Sequence, residues 1–192
     1  MQSRKFTPAL REIVVIAHNI RSILNVGSIL RSAEGFGVRR VFLSGTTLNA
    51  ENQLPHVRAK MTKELHKTAL GAEEIVSHEF VPDVFELIKK MKLDGFRIVG
   101  LEQDSRAIPL PDYLCRVRPC KEFCRDNNSC RDVPCKKIAL VLGEEVHGLT
   151  PKLRDTCDDL VEIPMFGQKE SLNVAVATGI VLYYFTATHS AP

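Results

Sequence analysis

The sequence predicts an α/β fold, a parallel sheet flanked by helices on both faces. Two observations carry that prediction. Short β-branched apolar runs alternate along the chain with segments of helical periodicity, the order expected when each crossover returns a strand parallel to its predecessor. Near the C-terminus, two apolar runs exit into loops carrying Gly, Pro and a few polar side chains: Ile138 to Leu142 into Gly143-Glu144-Glu145-Val146-His147-Gly148-Leu149, and Leu160 to Ile163 into Pro164-Met165-Phe166-Gly167. In α/β proteins, ligands sit in the loops at the carboxyl ends of parallel strands.

Each element has its own justification. Residues 13 to 17 (Ile-Val-Val-Ile-Ala) are short, continuous and β-branched, as a buried strand requires. His18 to Arg21 is turn-like. Asn25 is a good N-cap for a helix from about Val26 to Phe36, whose apolar positions Val26, Ile29, Leu30 and Ala33 follow helical spacing. The opposite stripe, Ser28, Arg31, Ser32 and Gly35, is small and polar around one cation, and Gly35 and Gly37 end the helix. Val41 to Leu43 reads as a strand and residues 57 to 70 as a helix. A strand is expected to start at Ile75 and Val76, a helix to span Val84 to Met91 behind Pro82-Asp83, and a strand to span Phe96 to Leu101. Pro109 to Cys135 is rich in Pro, Cys and Arg and has no evident periodicity, so it reads as a loop or inserted excursion. Thr150-Pro151 starts a helix, with Thr as N-cap and Pro at the first helical position. The last helix, Ser171 to about Phe185, is apolar nearly all round and needs cover on more than one side. A homodimer contact would supply it; burial within the monomer is the alternative.

The chain has 192 residues, 44% hydrophobic and 26% charged, with a net charge of +3. These values suit a single domain over residues 1–192, with a Cys/Arg-rich inserted loop at about 109–136. The mild positive charge permits an anionic partner without requiring one. No apolar run is long enough to span a bilayer and no secretory signal opens the chain, so a cytoplasmic location with reduced thiols is expected and no membrane partner. Five of the six cysteines fall between Cys115 and Cys135, without the Cys-x2-Cys pairs of zinc ribbons; the reading is a surface loop and no metal. Its local excess of Arg and Lys, and that of His56 to Leu70, would suit contact with a nucleic-acid backbone, although a solvated face explains either run.

Three polar clusters stand out: Asn25 with Arg31; Glu145 within Gly143-x-Glu145-x-x-Gly148; and Ser171-Leu172-Asn173. Singly they have ordinary explanations. Asn25 caps a helix, Arg31 faces solvent, Glu145 faces solvent or pairs with Lys152, and Ser171 and Asn173 begin a helix.

Together they carry a resemblance. Asn25-Val-Gly-Ser-Ile-Leu-Arg31-Ser-Ala-Glu-Gly-Phe-Gly37, Leu142-Gly-Glu-Glu145-Val-His-Gly-Leu149 and Ile163-Pro-Met-Phe-Gly-Gln-Lys-Glu-Ser-Leu-Asn-Val174 resemble, in order and spacing, the three motifs of the SpoU/TrmH family of RNA ribose methyltransferases. The resemblance implies a C-terminal trefoil knot, S-adenosyl-L-methionine as cofactor, RNA (tRNA or rRNA) as substrate, and a homodimer through the C-terminal helix. It implies an active-site set of Arg31, Asn25, Glu145, Ser171 and Asn173, and cofactor contacts at Leu142, Gly143, Ile163, Met165, Ser171 and Leu172. The expected activity is methyl transfer to a ribose 2′-hydroxyl. A catalytically silent RNA-binding protein of the same fold, or a base-methylating relative, are the alternatives. The residues offer no obvious general base, and a guanidinium stays protonated. Arg31 is therefore expected to clamp an RNA phosphate and polarise the hydroxyl, with Asn25 positioning Arg31 or the ribose.

Overall fold

Seven strands form one wholly parallel sheet in the order β3-β2-β1-β6-β4-β7-β5. They are β1 (Glu12–His18), β2 (Arg40–Ser44), β3 (Ser77–Val81), β4 (Arg97–Leu101), β5 (Ile108–Pro109), β6 (Lys137–Leu142) and β7 (Asp159–Glu162). The helices are α1 (Ile23–Gly35), α2 (Pro55–Ala69), α3 (Ala72–Ile75), α4 (Val84–Leu93), α5 (Leu110–Val117), α6 (Pro151–Thr156) and α7 (Val174–Ala187). The computed structural model describes residues 12–48, 54–117, 137–169 and 171–187.

Alternation along the strands divides the core in two. On β1, Ile13, Val15 and Ala17 face one layer while Val14 and Ile16 face the other. The first layer holds α1, α2, α5 and α7, with Ile29, Leu30, Leu65, Tyr113, Leu182 and Phe185 packed on the sheet. The second holds α4 and α6, through Val84, Leu87, Ile88, Met91 and Leu153. The expected three-layer α/β sandwich is present.

Three local expectations are corrected. Helix α1 begins three residues earlier than expected: Ser22, not Asn25, is its N-cap, and the Ser22 hydroxyl accepts from the Asn25 backbone N–H at 3.4 Å. Burial of Ile23, one turn before Val26, extends the apolar stripe upstream and draws the helix with it. The segment read as a loop from Pro109 instead begins with edge strand β5 and helix α5. Leu110 and Tyr113, three residues apart, are both buried, the Tyr113 ring lies 5.9 Å from that of Phe185, and its hydroxyl donates to Asp159 at 2.9 Å. The remainder, with Cys120, Cys124, Cys130 and Cys135, lies outside the described residues. Residues Ala72–Ile75 form helix α3, so the strand expected to open at Ile75 starts at Ser77 instead. Among the described residues no helix is long and apolar enough to cross a membrane.

The strand order positions the site. From β1 the chain turns through α1 to β2; from β6, the neighbour of β1 on its other side, it turns through α6 to β7. The two connections leave on opposite faces of the sheet and in opposite directions. A crevice therefore opens at the carboxyl ends of β1 and β6, the topological switch point where open α/β sheets bind ligands.

Candidate active site at the switch point

The β6–α6 loop forms one wall of the crevice. It folds back on itself through a paired bridge: Glu144 N–H donates to the Gly148 carbonyl at 3.1 Å, and Gly148 N–H to the Glu144 carbonyl at 2.9 Å. Gly143 permits this fold. A Cβ there would lie 2.3 Å from the Gly148 carbonyl carbon and 2.5 Å from Leu149 N, closer than any real side chain approaches backbone. The tight turn projects Glu145 towards the start of α1.

The Glu145 carboxylate closes the gap between the two strand exits. It accepts from the backbone N–H groups of Arg21 and Ser22, both at 3.2 Å, and from the Asn25 side-chain amide at 3.0 Å. It thereby occupies the N-terminus of α1, where free N–H groups and the helix dipole favour an anion. Burial alone would raise its pKa. The bonds from Asn25, Arg21 and Ser22 outweigh burial and hold the carboxyl below its ordinary value. Lys152, considered above as a partner for Glu145, instead places its ammonium 4.3 Å from the centre of the Phe85 ring. Beside this cluster, Arg21 reaches Glu144 at 2.7 Å.

A third segment joins the same chain of bonds. The Asn173 side-chain amide donates to the Asn25 side-chain oxygen at 3.1 Å, and the Asn173 oxygen accepts from Ala175 N–H at 2.9 Å, capping α7. Helix α7 accordingly starts at Val174, after Ser171 and Asn173 rather than at them. Glu145, Asn25 and Asn173, drawn from three segments more than a hundred residues apart or on different elements, form one continuous relay. Arg31 stands apart. It is exposed and has no ion pair or hydrogen bond among the described residues. Six residues along α1 place it about 9 Å from Asn25 in rise. The side chain of Asn25 is bonded to Glu145 and Asn173 and makes no bond to Arg31.

Next to the relay lies a cavity of about 300 Å³. The β6–α6 loop, the loop after β7 and the end of β4 wall it, and Leu142, Gly143, Ile163, Met165, Ser171 and Leu172 are all among its lining residues. Its apolar side is Leu101, Leu142, Ile163, Met165, Leu172 and Ala177. Its charged side is Glu102, Glu144, Glu145 and Glu162, with no Lys or Arg among the described residues. Glu102 and Gln103, at the exit of β4, are site residues the motif pattern does not pick out. The signal for them is the same one that marks the other two loops, namely their place at the carboxyl end of an apolar parallel strand.

The family model described as "SpoU rRNA Methylase family" matches residues 12–183. The 23S rRNA (guanosine-2′-O-)-methyltransferase RlmB of Nitrosomonas europaea is 31% identical over 179 residues, covering 93% of this chain and 57% of that protein. The corresponding RlmB of Coxiella burnetii is 31% identical over 190 residues, covering 98% and 62%. The chain thus spans about three-fifths of the length of these relatives. In three dimensions it resembles the AdoMet-bound rRNA methyltransferase of Sinorhizobium meliloti, with a TM-score of 0.71 at 22% identity, over 97% of this chain and 60% of that one. It also resembles the TrmH/SpoU tRNA modifying enzyme of A. aeolicus, with a TM-score of 0.67 at 23% identity, over 92% and 76%.

Proposed function

The chain belongs to the SpoU rRNA methylase family, and we propose that it transfers a methyl group from S-adenosyl-L-methionine to a ribose 2′-hydroxyl of tRNA or rRNA. The observation that carries this reading is the Glu145–Asn25–Asn173 relay at the edge of a cavity fitted to that cofactor. The fit is chemical. An apolar wall suits an adenine ring and a thioether chain, a glycine-lined turn permits close backbone approach, and four lining carboxylates, with no Lys or Arg among the described residues, suit a sulfonium cation. The curated relatives named above are guanosine 2′-O-methyltransferases, which supports the ribose as acceptor.

When bound, the cofactor supplies an activated methyl group needing only an aligned nucleophile. The chain's own residues then do three things. Leu142, Gly143, Ile163, Met165 and Leu172 hold and bury the donor. Asn25 and Asn173, fixed by Glu145 and by the start of α7, orient the ribose, so that proximity and alignment supply most of the acceleration. Arg31, exposed and without a competing partner among the described residues, clamps an RNA phosphate through its planar fork and polarises the adjacent hydroxyl. Ser171, which lines the cavity two residues before Asn173, shapes the junction between donor and acceptor. Glu145 serves as an ionised anchor, since it is held below its ordinary pKa and most of its acceptor sites are committed to three donors.

The reading extends to the assembly and its setting. The catalytic unit is one domain, its C-terminal part threaded as the trefoil knot of the family, working in the cytoplasm. Val176 and Tyr183 on α7, each more than half exposed, are apolar surface suited to the homodimer contact.

The test is incubation of unmodified tRNA and rRNA with methyl-labelled S-adenosylmethionine, followed by nucleoside mass spectrometry. A 2′-O-methylated nucleoside is expected. A base-methylated one rejects the ribose assignment. Absence of transfer together with absence of cofactor binding by calorimetry rejects the enzyme.

A further inference from the structure

We propose that Glu102 is a cofactor-selecting residue that holds the ribose diol of the bound adenosyl group. This rests on the cofactor reading above and goes beyond it, because Glu102 lies in none of the three motif segments. Four observations carry it. Glu102 is the first residue past β4, at the carboxyl end of the sheet, and lines the cavity beside Leu101 and Gln103. Its backbone N–H donates to Val161 at 3.0 Å, which ties its position to β7. Its carboxylate is locked: one oxygen accepts from Leu149 N–H and the other from Gln103 N–H at 3.1 Å. Finally, Gly148 packs against it so closely, at φ +63°, that a Cβ there would stand 2.1 Å from the carboxylate oxygen.

The chemistry follows from counting lone pairs. An ionised carboxylate offers about four acceptor sites, and the two backbone donors occupy two of them. The remaining two belong to a group whose rotamer is fixed, facing a nucleoside-sized cavity. Of the other three carboxylates lining that cavity, Glu145 already accepts from Arg21, Ser22 and Asn25 and Glu144 is paired with Arg21, while Glu162, at the end of β7, has no backbone donor fixing its carboxylate among the described residues. A vicinal diol presents two adjacent O–H donors, the natural complement of a carboxylate with open sites. α/β folds that bind nucleotides place an acid at a strand exit for this purpose. Glu102 thus has two functions, bracing the β6–α6 loop through Leu149 and reading the diol.

A test must separate those functions. The probes are S-adenosylhomocysteine and its 2′-deoxy and 3′-deoxy analogues, with dissociation constants measured by calorimetry for the wild type and for Glu102→Gln. The amide keeps an acceptor for Leu149 N–H and nearly the same shape. The wild type is expected to bind the deoxy analogues at least tenfold more weakly than the parent. In Glu102→Gln that ratio should fall to about threefold or less. Two results overturn the proposal: a wild type that does not distinguish the analogues, or a variant that weakens all three probes by the same factor, as a pure loop brace would. If the variant does not fold, the wild-type ratio alone still decides whether the pocket reads the diol, and Glu102→Asp, which retains the charge, supplies the residue-level comparison. Failure of S-adenosylhomocysteine to bind the wild type at all would instead reject the cofactor reading.

Discussion

Gly143 is where the geometry of the site depends most on the absence of a side chain, and Gly143→Ala puts that dependence to a quantitative test. The added Cβ would lie 2.3 Å, 2.4 Å and 2.5 Å from Gly148 C, Gly148 O and Leu149 N, against 3.4–4 Å for ordinary contact. All three obstacles are backbone, so no rotamer change relieves them. The β6–α6 turn must move by about 1 Å, a shift that a packed interior resists. That shift breaks or stretches the two Glu144–Gly148 bonds and the bond from Leu149 N–H to Glu102. At about 1 kcal/mol each, the three together cost about 3 kcal/mol. Since about 1.4 kcal/mol is a factor of ten, affinity for the cofactor should fall about 100-fold. The assay is calorimetric titration with S-adenosylhomocysteine, with thermal melting to verify that the sheet persists. Gly35→Ala is the control: nothing lies within 4 Å of a Cβ there, so binding should not change, and stability should hold or rise by up to about 1 kcal/mol. If Gly143→Ala binds within threefold of the wild type, the tight turn is not what shapes the cavity.

Other perturbations address the remaining residues. Glu145→Gln places an amide donor against at least one of three donors; turnover should fall tenfold to a hundredfold, the equivalent of about 1–3 kcal/mol for an orphaned group. Because the Glu145 carboxyl lies below its ordinary value, its contribution to stability is complete above that value and is lost as pH falls through the lowered one. The melting difference between wild type and Glu145→Gln should therefore be constant from pH 6 to 9 and narrow only in acid. Arg31→Lys keeps the charge and loses the fork; turnover should drop at least tenfold with melting and cofactor affinity unchanged, and a lysine variant with near-full turnover would refute the bidentate clamp. The Cys157 thiol is pushed up to about 12, by burial first and then by Asp158. Iodoacetamide at pH 8 followed by peptide mapping should leave Cys157 unlabelled in the native protein and labelled in denaturant.

Most of the sheet was legible because its strands are continuous apolar runs, as a sheet covered on both faces requires. The misreadings have specific causes. Ser22 and Asn25 are both good caps three residues apart, and only burial of Ile23 decides between them. Helix α5 does carry helical spacing in its sequence, with Leu110, Tyr113, Leu114 and Val117 at i, i+3, i+4 and i+7, but Pro109 and Pro111 flank its start and a Cys/Arg-rich run follows it, so the segment reads as irregular. At the site, the positions were legible and the contacts were not. Asn25 meets Glu145 across 120 residues of sequence and Asn173 across 148, and Glu102 meets Leu149 across 47. Such pairings come from the order of strands in the sheet, which local pattern does not encode. Arg31 and Asn25 illustrate the converse. They are close in sequence, yet lie on different faces of α1, and only Asn25 is bonded to Glu145 and Asn173.

The relay also constrains how the proposed chemistry works. A general base at neutral pH needs a pKa near the working pH and a free lone pair directed at the proton. Glu145 lacks the first, being held below its ordinary value, and three of its roughly four acceptor sites are taken by Arg21, Ser22 and Asn25. Arg31 cannot accept a proton. In the proposed mechanism these residues control the placement of the ribose relative to the donor, and placement alone can be worth about 7–11 kcal/mol. Charge is then secondary to geometry, and the variants should rank accordingly. Gly143→Ala, which displaces the turn carrying Glu145 without altering any charge, should cost at least as much overall efficiency (kcat/KM) as Glu145→Gln, which removes the charge and leaves the turn in place. The reverse order would mean that Glu145 takes part in the proton transfer itself.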